Sequence, residues 1–306
     1  MTQRVRYPGR RFEGTGRLAC VVFVLLLLVG CASKPPWPAV AETDVGPVSP
    51  GRWVWAELFV ADVLAAKAFY GQVFGWTFQS FGAGARPYTL IRNAGKPIAG
   101  MLPHAAGNAD VQRARWLAVM SVADVQEAAA TVDQRGGEVI VEPVDLPGRG
   151  RVSLLADPEA ARFGVMTSEV GDPADVMPAF GDWLWRELWA RSADDMAAFY
   201  AALAPYQIQQ AGDVAGNAEV HLSIDGYPRA GVIEHGDSDL PSTWLHYVRV
   251  ADLEATLTRV RQAGGSVLVE PSPAIRQGRV AIVTDPLGAS IGLAEWSETD
   301  LAGDVR

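Results

Sequence analysis

Two tryptophans and a glutamate alternate at Trp53, Trp55 and Glu57, and the same three recur at Trp183, Trp185 and Glu187. On a strand, side chains alternate between faces, so the three share one face. Phe59 continues the row in the first copy and Trp189 in the second. An aromatic wall with one carboxylate suits a small-molecule pocket, which is mostly apolar with a few polar groups that fix orientation. Among apolar walls such a carboxylate is pushed up in pKa and can act as acid or base. The opposite face reads Val54, Ala56, Leu58, Val60 and suits packing on a helix. Two structural roles compete with this reading. The tryptophans could fill a core, and the acids could pair with an arginine across the duplication, for which Arg186, Arg191 and Arg249 are available.

Other candidates are sparser. His104 and His235 hold equivalent places after strand-like "AG" stretches, where loop positions are expected and exposed histidines are usually inert. His221 has no counterpart, because Leu90 stands in its place. Tyr88 and Tyr247 could reach the same pocket or lie in a core. Glu142-Pro143 and Glu270-Pro271 read as strand terminators. Asp157-Pro158 and Asp285-Pro286 read as turn initiators without chemistry. No nucleophile elbow, phosphate loop or dinucleotide fingerprint occurs, so covalent catalysis and nucleotide chemistry have no support.

The elements that must position these residues repeat. "WLAVMSVADVQEAAATVDQRGGEVIVEP" (116–143) matches "WLHYVRVADLEATLTRVRQAGGSVLVEP" (244–271), and "GRVSLLADPEAARFGV" (150–165) matches "GRVAIVTDPLGASIGL" (278–293). The body is therefore a tandem duplication over 51–170 and 178–298, joined by "EVGDPADVMPAF". Each half divides again. Trp53–Val60 reads as a strand and Asp62 as the N-cap of a helix ending near Phe74, with strands near 88–92 and 97–102. The pattern restarts with a strand at 116–122 and a helix capped by Asp124 and Glu127, which Gly136-Gly137 ends. The order in each module is strand, helix, three strands, four times over.

The "AFYGQVFGW" helix (68–76), "VADVQEAAATVDQRGGEV" (122–139) and the "ADP" and "TDP" turns resemble the vicinal oxygen chelate superfamily, which includes glyoxalase I, bleomycin-resistance proteins and extradiol dioxygenases. The resemblance implies an α+β fold of four βαβββ modules, in two glyoxalase-like domains whose mixed sheets curl into cups with the site inside. Metal-using members place four His, Glu or Gln ligands in a cup. Counting to those places reaches Trp55, Gly100, Leu117 and Gly164 in the first half and Trp185, Gly231, Leu245 and Gly292 in the second. None can coordinate an ion, and His246, beside Leu245, cannot make a site alone. No metal and no cofactor is expected.

The N-terminus is a separate unit. Five arginines precede a twelve-residue apolar run, Leu18 to Val29, too short to span a bilayer comfortably. It ends in "LVGC", which resembles a lipobox with Cys31 as the lipidated residue. Residues 1–30 then read as a lipoprotein signal peptide and 31–50 as a Pro-rich tether holding the body off the membrane. With no Asp after Cys31, the resemblance favours the outer membrane of a two-membrane cell, facing the periplasm. The whole chain carries −9, and residues 1–30 hold five Arg and one Glu, so the mature part carries −13. That charge offers no footprint for nucleic acid. Beyond Cys20 and Cys31 there is no cysteine, hence no disulfide or thiolate chemistry in the body.

Three functions follow as expectations. The first is sequestration of a small, partly apolar molecule in a metal-free cup by a monomer. The second is a metal-independent lyase, isomerase or hydrolase with Glu57 or Glu187 as general base. The third is a structural envelope protein whose cups are filled by Trp side chains.

Overall fold

The structure, a computed structural model, describes residues 37–82, 87–103, 114–214, 216–235 and 241–296. The first half begins with strand β2 (Trp53–Val60) and helix α1 (Val63–Phe74). Asp62 caps α1 by accepting from the backbone of Leu64 and Ala65, and Gly75 closes it at φ 73°. Strands β3 (Thr77–Phe81), β4 (Tyr88–Asn93) and β5 (Lys96–Pro103) complete the module. The next module is β6 (Arg115–Ser121), α2 (Val125–Gln134), β7 (Glu138–Leu146), β8 (Gly150–Ala156) and β9 (Arg162–Ser168). Two short strands, β1 (Val45–Gly46) and β10 (Asp172–Pro173), pair with each other. The second half repeats the pattern. Its third module is β11 (Trp183–Ala190), α3 (Ala193–Tyr200), β12 (Gln207–Val214), β13 (Asn217–Ile224) and β14 (Tyr227–Glu234). Its fourth is β15 (Thr243–Val250), α4 (Leu253–Gln262), β16 (Ser266–Val269), β17 (Val280–Thr284) and β18 (Ser290–Glu295).

Modules pair within each half. The first half forms one eight-stranded sheet in the order β3-β4-β5-β2-β6-β9-β8-β7, and the second forms β12-β13-β14-β11-β15-β18-β17-β16. The first strands of the paired modules, β2 with β6 and β11 with β15, run antiparallel at the centre. This is the α+β arrangement of two tandem domains expected from the repeat.

The backs of the two sheets share their cores. One cluster joins Leu58, Phe69, Tyr70 and Met101 to Val248, Leu257, Ile291 and Leu293. The other joins Val132, Phe163 and Val165 to Leu188, Phe199, Tyr200 and Trp244. The repeated "FY" pair explains itself here. Tyr70 donates to Asp285 across the seam at 3.0 Å, and Tyr200 donates to Asp157 at 3.0 Å. Each tyrosine oxygen also accepts a bond, from the Nε1 of Trp116 or of Trp244, at 2.8 Å. The Asp-Pro turns are therefore more than turn initiators. Each aspartate organises its own turn, accepting from the backbone of Ala161 or Ala289, and also ties the halves together. Burial pushes Asp157 up to about 6, against the hydrogen bonds from Ala161 and Tyr200.

Two details depart from the sequence reading. The Glu-Pro pairs do not behave alike: β16 stops at Val269, but β7 runs on through Pro143 by way of register shifts between Val139 and Val144. The stretch read as a tether is docked from Trp37 onward. Trp37 donates its backbone N–H to Pro147 at 2.7 Å, Val40 is fully buried, and the Ser49 N–H bonds Asp172 at 2.7 Å.

Candidate functional site

A bulge at the start of each central strand sorts the repeated residues. Trp53 pairs with Met120 and Trp55 with Val119, so Val54 is an extra residue without a partner on β6. The same shift falls at Leu184. One extra residue inverts the facing of everything before it. Trp55, Glu57, Trp185 and Glu187 therefore face the cups as expected, while Trp53 and Trp183 do not. Trp53 lies on the back, its ring 4.4 Å from that of Trp244. Trp183 lies against Trp116 at 4.8 Å and Trp76 at 5.6 Å. Each half lends a tryptophan to the other's core. Val54, expected on the helix face, joins the cup cluster instead, and Leu184 does the same in the second half.

In the first cup, Glu57 is 8% exposed and its Oε1 accepts from Trp55 Nε1 at 2.9 Å, Tyr88 Oη at 2.9 Å and Arg149 Nη1 at 2.7 Å. Burial pushes Glu57 up, with Arg149, Trp55 and Tyr88 pulling the other way. Arg149 also donates to Tyr88 Oη and to the carbonyl of Pro38, and its guanidinium lies among the rings of Trp37, Trp55 and Tyr88. Despite the cost of its burial, Tyr88 and Glu57 hold Arg149 above its ordinary pKa. Trp37, Val40, Trp55 and Arg149 together fill this cup, and Trp55 keeps only 2% exposure.

The second cup holds the same theme with different parts. Glu187 is 1% exposed and accepts from Trp189 Nε1 at 3.2 Å, Tyr247 Oη at 2.8 Å and Arg276 Nη2 at 2.7 Å. Arg276 also bonds Glu219, whose Oε1 lies 3.3 Å from His221 Nε2. Burial pushes Glu219 up, but His221 and Arg276 outweigh it and hold the carboxylate below its usual range. Trp185 lies edge-on to His221 at 5.4 Å. Leu184, Trp185, Trp189, Ile275 and Ile282 are only partly buried here, and the side chains of His221 and Arg276 remain 25% and 27% exposed. This cup is open where the first is closed.

Neither acid pairs with the arginines proposed from sequence. Arg191 lies 3.8 Å from Glu159, and Arg249 donates to the carbonyls of Pro178 and Trp296. Arg186 faces the back of its sheet. The true partners, Arg149 and Arg276, were missed because they are one residue out of register. At the repeat offset of 128, Arg149 aligns with Gln277, and Arg276 aligns with Gly148. Gly148 has φ 87°, and Arg276 and Gln277 adopt φ 47° and 60°, a left-handed turn that costs a non-glycine residue on the order of 1 kcal/mol each. His221 was named and set aside because the repeat has no counterpart for it, and Glu219, with Tyr88 in its place, was missed. Their i, i+2 spacing on a strand was the available signal. His235 follows β14 as expected but is buried, at 8% exposure, and among the described residues neither ring nitrogen has a partner. His104 and Cys31 lie outside the described residues.

The residues at the counted ligand positions do not fit a chelated ion. A Cβ on Gly100 would lie 1.8 Å from Tyr88 Oη and 2.2 Å from Glu57, and one on Gly292 would lie 2.2 Å from the Tyr247 ring. Gly231 is approached by Glu219 and Trp185, and Gly164 by Val119. The space a ligating side chain would take is already occupied. Where carboxylates do converge, at Glu187 and Glu219, the cation between them is Arg276. Among the described residues no three of His, Cys, Asp and Glu are grouped to hold a metal.

Comparison with known proteins agrees with this architecture. The family described as Glyoxalase/Bleomycin resistance protein/Dioxygenase superfamily matches residues 52–165 and 186–293. The putative glyoxylase CFP32 of Mycobacterium tuberculosis is 29% identical over 237 residues, covering 77% of this chain and 91% of that one. The anthracycline biosynthesis protein DnrV of Streptomyces peucetius is 32% identical over 263 residues, covering 82% and 95%. In fold, the chain is similar to the Mn(II)-bound glyoxalase from Novosphingobium aromaticivorans, with a TM-score of 0.56 at 17% identity over 81% of this chain and 82% of that one.

Proposed function

Because the chain belongs to the Glyoxalase/Bleomycin resistance protein/Dioxygenase superfamily, we propose that its second cup binds a small, partly apolar molecule without a chelated metal. The observation that carries this is the contrast between the cups. Equivalent aromatic and acidic residues are sealed by Trp37 and Arg149 in the first and left open in the second. Trp185 and Trp189 offer partly exposed ring faces, and the Glu187–Arg276–Glu219–His221 chain offers a donor and acceptors to orient a ligand. A relative named for anthracycline biosynthesis supports a partly aromatic ligand. A second reading is metal-independent acid–base catalysis. With Glu57 and Glu187 both held by a guanidinium, His221 on Glu219 is the group best placed to carry a proton. The chain acts as a monomer, since each half completes its own sheet, and a lipid on Cys31 holds it to the periplasmic side of the outer membrane. A Cys31→Ser chain would then leave the membrane fraction. Among the described residues no helix is long and apolar enough to cross a membrane.

A thermal-shift and tryptophan-fluorescence screen of the purified chain tests the binding site. A bound ligand raises the melting temperature, and Trp185→Ala is expected to weaken it at least tenfold, about 1.4 kcal/mol. Binding that survives Trp185→Ala unchanged, or a stoichiometric divalent ion in elemental analysis, overturns the proposal. His221→Gln separates the two readings: turnover lost with affinity kept marks catalysis.

A further inference from the structure

The back of the second sheet holds a cation with no counter-charge. Arg186 lies on β11 facing the seam between the halves and is 4% exposed. Among the described residues its only hydrogen bond runs from Nη1 to the carbonyl of Trp185 at 3.1 Å, and its guanidinium lies 5.0 Å from the centre of the Trp183 ring. Its Nε is buried without a partner. Burial alone lowers its pKa, to about 9, and no acid opposes the shift. Its cross-strand neighbour is His246, which is fully buried. The His246 ring leans on the backbone of Trp116 without a well-aligned hydrogen bond, and burial followed by Arg186 pushes it well below the ordinary histidine range.

The first half shows what this place needs for packing alone. At the repeat offsets, Arg186 corresponds to Ala56 and His246 to Ala118, both fully buried. The second half therefore replaces two methyl groups with a guanidinium and an imidazole. A guanidinium stays protonated in a protein, and a buried unpaired charge is strongly unfavourable. Its Nε has no partner among the described residues, and Nη1 reaches only a backbone carbonyl. The imidazole, though neutral, keeps one N–H donor. The Arg186 Nε and the His246 ring thus sit side by side on one face of the sheet, with no group of the described residues aligned to either.

We propose that a small monovalent anion of chloride size binds between Arg186 and His246 and pins the two halves at their seam. The site is apart from both cups, because Arg186 and His246 point to the opposite face of the sheet from Trp185, Glu187 and Tyr247. It takes a spherical anion in preference to an oxyanion, since only two side chains offer donors there and the Trp183 ring lies against both.

Two measurements on the full chain test this. The first is thermal melting after exhaustive dialysis into sodium gluconate, then titrated with sodium chloride or bromide at constant ionic strength. A saturable rise is expected with either halide, roughly 5 °C or more once the halide exceeds its dissociation constant a hundredfold. Arg186→Met should lose this increment and melt in gluconate no lower than the wild type, because it removes an uncompensated buried charge. The second is bromide anomalous scattering from wild-type crystals, which needs no variant to fold. A bromide peak within hydrogen-bonding reach of the Arg186 guanidinium supports the site. Equal melting in halide and gluconate, a halide increment retained by Arg186→Met, or a water in place of bromide at the seam overturns it.

Discussion

Expressed alone, neither 51–170 nor 178–298 is expected to form a stable domain, although each contains a complete eight-stranded sheet. The reason lies on the backs of the sheets. Each core cluster draws residues from both halves, so separation would uncover Leu58, Phe69 and Met101 on one side and Val248, Leu257 and Leu293 on the other. It would also strand Trp53 and Trp183, each seated in the other half's aromatic cluster. Exposed apolar faces of this size drive association or aggregation. Co-expressed, the halves should assemble as a one-to-one complex in sedimentation, and Trp183→Ala should weaken it by about 3–5 kcal/mol. Assembly should also weaken as pH rises from roughly 4 to 6. Asp157 is raised to about 6 when docked, from an ordinary 3.8, so the docked state holds the extra proton in that window and loses stability as it leaves. Asp157→Asn should flatten that slope. Two independently folded, monomeric halves would contradict the shared core.

Arg149→Met is expected to cost the fold about 3–5 kcal/mol. Arg149 is 3% exposed, and its removal leaves the Glu57 carboxylate buried without its cation, strands Tyr88 Oη and frees the Pro38 carbonyl. Arg276 is the more solvated cation, but its loss would also strand two buried carboxylates, Glu187 and Glu219. For a body of this size the first loss is roughly a 10 °C fall in melting temperature. Adding Glu57→Gln to Arg149→Met should restore part of it, because the stranded charge disappears. A melting temperature left unchanged by Arg149→Met in calorimetry would mean that the first cup is not sealed.

Most of the architecture was legible because repetition is a strong signal. The 128- and 130-residue offsets, the caps Asp62 and Asp124 and the Gly136-Gly137 stop each specify local geometry, and four copies agreed. The site was legible only in part. Trp55, Glu57, Trp185 and Glu187 were placed by strand alternation, which is reliable until a bulge intervenes. One extra residue at Val54 and at Leu184 turned Trp53 and Trp183 around, and nothing in those residue types announces a bulge. The arginines escaped for a related reason. Arg149 and Arg276 reach equivalent glutamates from positions that alignment keeps apart, and only the left-handed turn at Arg276 makes up the difference.

Trp37 docked against Pro147 and Pro38 on Arg149 plug the first cup with a segment from outside its sheet. The shared cores occupy the backs of both sheets. A repeat that copied two bowls thus leaves one stoppered by the chain itself and the other bare, so the stoppered copy serves as scaffold for its twin.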